Sequence, residues 1–282
     1  MARIDAHQHF WQVARGDYGW LTPASGILYR DYGPADLKPA LDAASIDYCI
    51  TVQAAETEAE TAFMLDLAEA NAFVAGVVGW LDLESPDFAE RLARFRQRAK
   101  FVGLRPMLQG LPDDTYILRP AVLTNLRHLA ETGFPFDFLT FPRHLPHVLT
   151  VLESVPGLHA VIDHISKPSI KDGILDPWRA DLRAVARHPN LYCKLSGLVT
   201  EADHVHWTPA DLEPYILHVV EVFGPDRLLF GSDWPVALYA ADYARVIDTL
   251  TDILAARLTS TEMEAVFGGN AEKFYRLRLR AF

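Results

Sequence analysis

The feature that most constrains this chain is an alternation of short apolar runs with helical patterns, repeated about eight times from one end to the other. The runs fall at 4–11, 46–53, 73–83, 102–107, 134–141, 159–164, 191–196 and 227–233. Most are apolar at consecutive rather than alternate positions, the pattern of strands covered on both faces. Helices are expected at about 34–45, 56–71, 119–131, 144–154, 177–188, 209–223 and 241–256, with short ones at 260–267 and 270–279. In 56–71 the apolar face reads Ala59, Phe63, Leu67 and Ala70. Before the fourth run, Ser85-Pro86-Asp87 offers a capping serine with proline at the first helical position, and Phe88, Leu92 and Phe95 continue the stripe. Parallel strands need crossover connections of this kind, so the pattern implies a parallel sheet jacketed by helices. Eight repeats in 282 residues, near the ~250 typical of the architecture, favour an α/β fold closed into a (β/α)8 TIM barrel over an open doubly wound sheet. No G-x-G-x-x-G follows the first run, which weakens the dinucleotide-binding alternative further.

One domain, spanning 1–282, is expected. Glycine and proline, 16 and 18 residues, are spread along the chain rather than gathered in a linker, and no charge block or low-complexity tract marks a boundary. A net charge of −11 opposes binding to a nucleic-acid backbone or an anionic membrane. No apolar run approaches the ~18 residues of a membrane span, and the first strand begins within a few residues of Met1, leaving no room for a signal peptide. A cytoplasmic location is therefore expected. The two cysteines, Cys49 and Cys193, each sit inside an expected buried strand, which suits reduced core thiols. Nothing in the sequence indicates an oligomeric state.

A strand sends residues two apart to one face, so His7 and His9 project together, about 6–7 Å apart along the backbone. Two imidazoles so placed can converge on a metal ion, a substrate carbonyl or a water; the bland alternative is a pair of satisfied core histidines. In a barrel of this kind chemistry gathers at the carboxyl ends of the strands. Those ends carry His7 and His9, Gln53, Arg105, Asp137, His164, Lys194 and Asp233. So many buried polar groups are costly unless they pair with each other or with a ligand. Asp5 shares a face with His7 but lies deeper, and reads as a core hydrogen-bond partner. Asp163, on the opposite face from His164, reads as structural. Lys194 reads as balancing a carboxylate within the barrel, and Asp137 as a core carboxylate or a holder of a substrate hydroxyl. Lys167 and His144 fall in loops beyond strands, and His128, His188 and His218 on helices. Trp11, Tyr18, Trp20, Tyr29 and Tyr32 form either a substrate wall or a packed satellite cluster around the irregular stretch 12–34.

The ordered set I-D-A-H-Q-H-F-W at 4–11, G-L-R-P at 103–106, I-D-H-I-S-K-P at 162–168, K-L-S-G-L at 194–198, G-S-D-W-P-V at 231–236 and F-G-G-N-A-E-K-F-Y-R-L at 267–277 resembles the amidohydrolase superfamily, in its amidohydrolase-2 branch of sugar lactonases. The resemblance runs from the first strand to the last helix. It implies the barrel fold and hydrolysis of a cyclic ester, an aldonolactone such as an L-fucono- or L-rhamnono-lactone, at the barrel mouth. Carried over residue by residue, it assigns the first-strand pair to His7 and His9, the later histidine to His164 and the late aspartate to Asp233. Relatives with two metals hold a carboxylated lysine, commonly at strand four. Arg105 stands there instead, and a guanidinium can be neither carboxylated nor a ligand. The resemblance thus permits one divalent ion, zinc, on His7, His9, His164 and Asp233, and equally permits catalysis without a metal.

On that resemblance Asp233 is expected to take a proton from the attacking water and return it to the ring oxygen, while His7, His9 and His164 polarise the carbonyl. Arg105, Gln53, Lys167, Trp11 and Trp80 are the expected substrate contacts. Three competing readings remain: a lactonase acting on a pyrone dicarboxylate, a zinc-dependent decarboxylase of the same superfamily, and a catalytically silent barrel that binds a sugar acid. The dianionic pyrone would call for several arginines, whereas Arg105 is the only one at a strand end and Arg143 a loop candidate.

Overall fold

The computed structural model describes residues 1–279. Its eight strands are β1 (Ile4–Gln8), β2 (Tyr48–Val52), β3 (Val74–Gly79), β4 (Phe101–Leu104), β5 (Phe136–Phe138), β6 (Ala160–Ile162), β7 (Leu191–Leu195) and β8 (Leu228–Phe230). They pair in sequence order, every pair parallel, as an α/β barrel requires. Closure between β8 and β1 is made by the segment just past β8. There the Asp233 N–H donates to the His7 carbonyl and the His9 N–H to the Trp234 carbonyl, both at 2.8 Å. The seam of the barrel and the candidate site are therefore one structure.

Most strands are shorter than the apolar runs that announced them. Gln53, Arg105, His164 and Asp233 sit just beyond the last paired residues, where side chains can turn into the mouth. The helices at Pro34–Ala43, Glu58–Ala70, Pro120–Thr132, Leu145–Ser154, Trp178–Val185, Pro209–Phe223 and Tyr243–Ala255 follow the expected positions closely. Two details differ. The helix after β3 is Phe88–Phe95 with Asp87 at its N-cap, so the Ser85-Pro86 pair forms a turn before it. In Glu58–Ala70 the buried face is Glu60, Thr61, Met64, Leu65 and Ala68, while Ala59 and Ala70 are exposed. The helix is rolled by one residue because the Glu60 carboxylate is drawn inward, accepting the Ala54 N–H at 2.9 Å and the Ala55 N–H at 2.8 Å.

The barrel interior is layered. At the amino end of the strands Ile4, Ala6, Ile50, Val78, Val161 and Leu229 pack with Phe274 and Tyr275, so the helix Asn270–Phe274 and the residue after it plug the bottom. Charged residues occupy the level above, and the histidines the mouth. A register shift between Asp5 and Gln8 breaks the strict alternation of β1. Asp5 consequently reaches the helix Tyr243–Ala255, accepting the Tyr243 hydroxyl at 3.1 Å, while His7 meets Asp163 and Lys194 inside the barrel. Asp5 also accepts the His7 and Ser232 N–H groups, at 3.1 and 2.9 Å, which makes it a clasp across the seam.

Candidate active site

Two stretches of unusual backbone bring the site together. After β6 the chain runs through four consecutive left-handed residues, His164, Ile165, Ser166 and Lys167, with φ of 53, 49, 63 and 50°. Each such residue costs an L-amino acid roughly 1–2 kcal/mol, so the surrounding packing must hold the run in place. Its effect is to cancel the alternation of the strand, so that Asp163 and His164 both reach the interior. Asp233 is also left-handed, at φ 57°. Gly197, with φ +64°, leaves space for the ring: a Cβ there would lie 2.5 Å from His164 Nδ1. Gly231 does the same at the seam, where a Cβ would meet His7 Cβ at 2.5 Å.

Three imidazoles converge on one carboxylate oxygen. Asp233 Oδ1 lies 3.4 Å from His9 Nε2, 3.8 Å from His164 Nε2 and 3.9 Å from His7 Nε2. The far ring nitrogens are anchored: His9 Nδ1 to the Val52 carbonyl at 2.7 Å, His164 Nδ1 to Ser196 Oγ at 2.8 Å, and His7 Nδ1 to Asp163 Oδ1 at 3.3 Å. The anchor at the Val52 carbonyl makes His9 Nδ1 the protonated nitrogen, so the Nε2 lone pair faces Asp233. All four residues are buried. Burial pushes His7 and His164 well below the usual histidine range.

Lone pairs aimed at an anion repel unless a cation or a proton lies between them. The ligand atoms of His7, His164 and Asp233 all fall within 4.8 Å of one another, a compact N, N, O donor set. The Asp163 carboxylate behind His7 and the Ser196 hydroxyl behind His164 are the outer partners that orient metal-binding imidazoles. These residues fit one divalent cation. His9 stands beside this set of three.

Beneath the histidines lies a buried charge network. Arg105 donates through Nη1 to Asp163 Oδ2 at 3.1 Å, approaches His7 Nε2 at 3.3 Å, and donates through Nη2 to the backbone carbonyl of Gln53 and, at 2.9 Å, to its Oε1. Lys194 reaches Asp137 Oδ2 at 2.5 Å and Asp163 Oδ1 at 3.0 Å, and the Tyr275 hydroxyl donates to Asp137 Oδ2 at 2.7 Å. Burial pushes Asp163 up, but Lys194, His7 and Arg105 prevail and keep it well below the carboxylate range.

The expectations for individual residues divide accordingly. His7, His9, His164 and Asp233 come together. Lys194 balances carboxylates, as its position suggested, and Asp137 is its partner. Arg105 was expected to grip substrate, but its fork is taken by Asp163 and Gln53, and Gln53 in turn spends its side-chain oxygen on Arg105. Trp11 was expected to pack on a sugar; it has no exposed surface, donates its Nε1–H to the Arg30 carbonyl at 2.8 Å, and packs edge-on against Trp20 and Tyr32. Trp11, Tyr18 and Tyr32 are thus packed in the core, while Trp20 and Tyr29 stay exposed at the edge of the loop. Trp80 is half-buried after β3. Lys167 points over Phe141, 5.8 Å from its ring, and faces Glu201. His144 is buried rather than solvated, pinned between the Phe141 N–H and Asp114. Asp163 is the clearest correction, a central group rather than a peripheral one. Glu201, on the short helix Leu198–Glu201 after β7, escaped notice because nothing in its local sequence marks it.

Comparison with known proteins agrees with this geometry. The Amidohydrolase family (Amidohydro_2) matches residues 4–277. An L-fucono-1,5-lactonase of Burkholderia ambifaria is 42% identical over 98% of this chain and 96% of its own length. A second L-fucono-1,5-lactonase, of Burkholderia multivorans, is 40% identical with the same coverage of both chains. A crystal structure of an amidohydrolase from Burkholderia multivorans with bound zinc superposes with a TM-score of 0.94 at 39% identity, covering 99% of this chain and 100% of that one.

Proposed function

This chain belongs to the amidohydrolase family, and we infer that it is a hydrolase that opens the ring of a sugar-acid lactone, with L-fucono-1,5-lactone or a related aldonolactone as substrate. The observation that carries the inference is the convergence of three imidazole nitrogens on Asp233 Oδ1 at the mouth of the barrel. A water and an ester carbonyl brought there meet a base and a donor set suited to a polarising cation. The names of the Burkholderia relatives support the substrate class.

In our reading Asp233 is the base. No hydrogen bond from another described residue reaches its Oδ2, which leaves that oxygen free to hold the water. Asp233 takes the water's proton as the oxygen bonds to the carbonyl carbon, giving a tetrahedral oxyanion. The carbonyl re-forms, the bond to the ring oxygen breaks, and Asp233 returns the proton to that oxygen, leaving a hydroxy acid. An ester alkoxide departs more readily than an amide nitrogen, so modest activation suffices. His7, His9 and His164 surround the reacting carbonyl, and their outward lone pairs suit a polarising cation rather than the developing oxyanion itself. Arg105 and Gln53 act indirectly, holding Asp163 and through it His7. Lys167 and Trp80 are the proposed substrate contacts.

His7, His164 and Asp233 would hold one zinc ion, with His9 adjacent; when bound, it supplies Lewis-acid polarisation of the ester carbonyl. We also propose a cytoplasmic location, with a small lactone rather than nucleic acid or membrane as the partner. Both cysteines are buried and free, and no helix among the described residues is long and apolar enough to cross a membrane. The test is a panel of aldonolactones followed with a pH indicator, with and without exhaustive chelation. The reading expects acid release from at least one aldonolactone above the spontaneous rate. A panel without any such substrate refutes it, and undiminished activity in protein shown metal-free by elemental analysis removes the zinc.

A further inference from the structure

Glu201 is a half-buried charge that the mechanism leaves unused. It ends the short helix Leu198–Glu201 after β7, and its carboxylate faces Lys167, which ends the left-handed run after β6. Both side chains are largely withdrawn from water, 22% and 18% exposed, yet Lys167 Nζ and Glu201 Oε1 stand 3.7 Å apart. That separation is an ion pair but lies outside hydrogen-bond reach. Among the described residues neither tip makes a hydrogen bond to any other group. Their backbones, by contrast, are fixed. The Lys167 N–H donates to the His164 carbonyl at 2.8 Å, and the Glu201 carbonyl accepts the Lys171 N–H at 2.9 Å. The pair stands at the mouth by its place in the chain: Lys167 ends the left-handed run that begins at His164, and Glu201 ends the short helix that follows Ser196, the anchor of the His164 ring.

A gap of 3.7 Å between a donor and an acceptor has a natural occupant. A hydroxyl oxygen about 2.8 Å from each would accept from the ammonium and donate to the carboxylate, completing both. An unsubstituted ring seated over the pair displaces its water and offers no hydrogen bond in return. We propose that Glu201 and Lys167 form a clamp for a ring hydroxyl of the lactone, with Glu201 as the specificity-determining acceptor. The proposal rests on the lactonase reading and extends it, because it requires a hydroxylated substrate rather than lactones in general. Sites built to hydrogen-bond a hydroxyl reject analogues lacking it far more strongly than apolar pockets discriminate by size.

The test compares the full chain with its Glu201→Ala and Glu201→Gln variants on two six-membered esters, a hydroxylated aldono-1,5-lactone and δ-valerolactone, which lacks hydroxyls. The readout is the ratio of kcat/KM between the two. Glu201→Ala is expected to lower that ratio about 100-fold, and Glu201→Gln less, because the amide oxygen still accepts. A ratio within about 3-fold of wild type in both variants overturns the clamp, since a purely structural role would depress both substrates alike. Should the alanine variant fail to fold, as read by its thermal melt, the glutamine variant decides by the same ratio. A wild-type chain that opens neither ring overturns the lactonase reading and the clamp with it. That outcome is distinct from a wild type that opens the hydroxylated ring and a variant that does so equally well.

Discussion

Asp233 is asked to be an anion facing three imidazoles, and that arrangement makes its chemistry testable at one atom. Asp233→Asn keeps the shape and removes the base, so kcat for lactone opening is expected to fall about 10²- to 10⁴-fold with an unchanged thermal melt; a near-normal rate would exclude it as the base. Asp163 is argued on stability as well. It lies between Arg105 and Lys194, and Asp163→Asn leaves two buried cations short of a partner, a loss of about 3–5 kcal/mol measurable by urea unfolding. Glu60 supplies a pH dependence. Burial pushes its carboxyl from 4.5 up to about 8, against the pull of the Ala55 and Ala54 N–H groups. Between those values the folded protein holds a proton that the unfolded chain has lost. The contribution is therefore full below about 4.5 and disappears as pH rises through about 8. Glu60→Gln, which keeps an acceptor for both N–H groups, should flatten that part of the stability–pH curve. At this scale the strand-end positions of His7, His9, His164 and Asp233 were legible in the sequence. Asp163 and Glu201 were not, since local alternation placed one outside and gave no signal for the other.

The elements show how much of the molecule serves to end them well. At the bottom of the barrel Arg227 donates to the carbonyls of Phe223, Ala186, His188 and Leu191, at 2.9–3.0 Å. Lys100 likewise serves the carbonyls of Ala68, Asn71 and Val74. The helix ends gather there with their negative dipole ends, so cations at that face are structural. Arg227→Ala is expected to cost about 2–3 kcal/mol in urea unfolding while leaving KM unchanged. The mouth depends instead on backbone shape. Gly197→Ala would set a methyl against the His164 ring at a left-handed position, and should lower kcat more than stability. Strand and helix order could be read from periodicity because each element buries apolar surface in its own rhythm. The roll of Glu58–Ala70 could not, because it is set by a carboxylate meeting backbone donors of another segment.

At the scale of the whole molecule the barrel closes through its own site, since Asp233 and Trp234 complete the hydrogen bonding of β1. A ligand bound there should stabilise the entire fold. Protein stripped by chelation and returned to zinc at about 100 times its dissociation constant is expected to gain about 2.7 kcal/mol, seen as a raised Tm, and His164→Ala should abolish the gain. An unchanged Tm in wild type would remove the zinc assignment. The sequence by itself determined the (β/α)8 architecture and the placing of His7, His9, His164 and Asp233 at strand ends on one mouth of the barrel, because strand order and strand ends follow from local pattern. Tertiary structure alone decided which polar groups remain free. The Arg105 fork is taken by Asp163 and Gln53 while Gln53 Nε2 keeps no partner among the described residues, and Trp11 is sealed in a cluster. Asp163 moves to the centre, and Glu201 comes to face Lys167. Pairing among buried charges depends on distances of 3–4 Å between segments far apart in the chain, and no one-dimensional pattern encodes those distances.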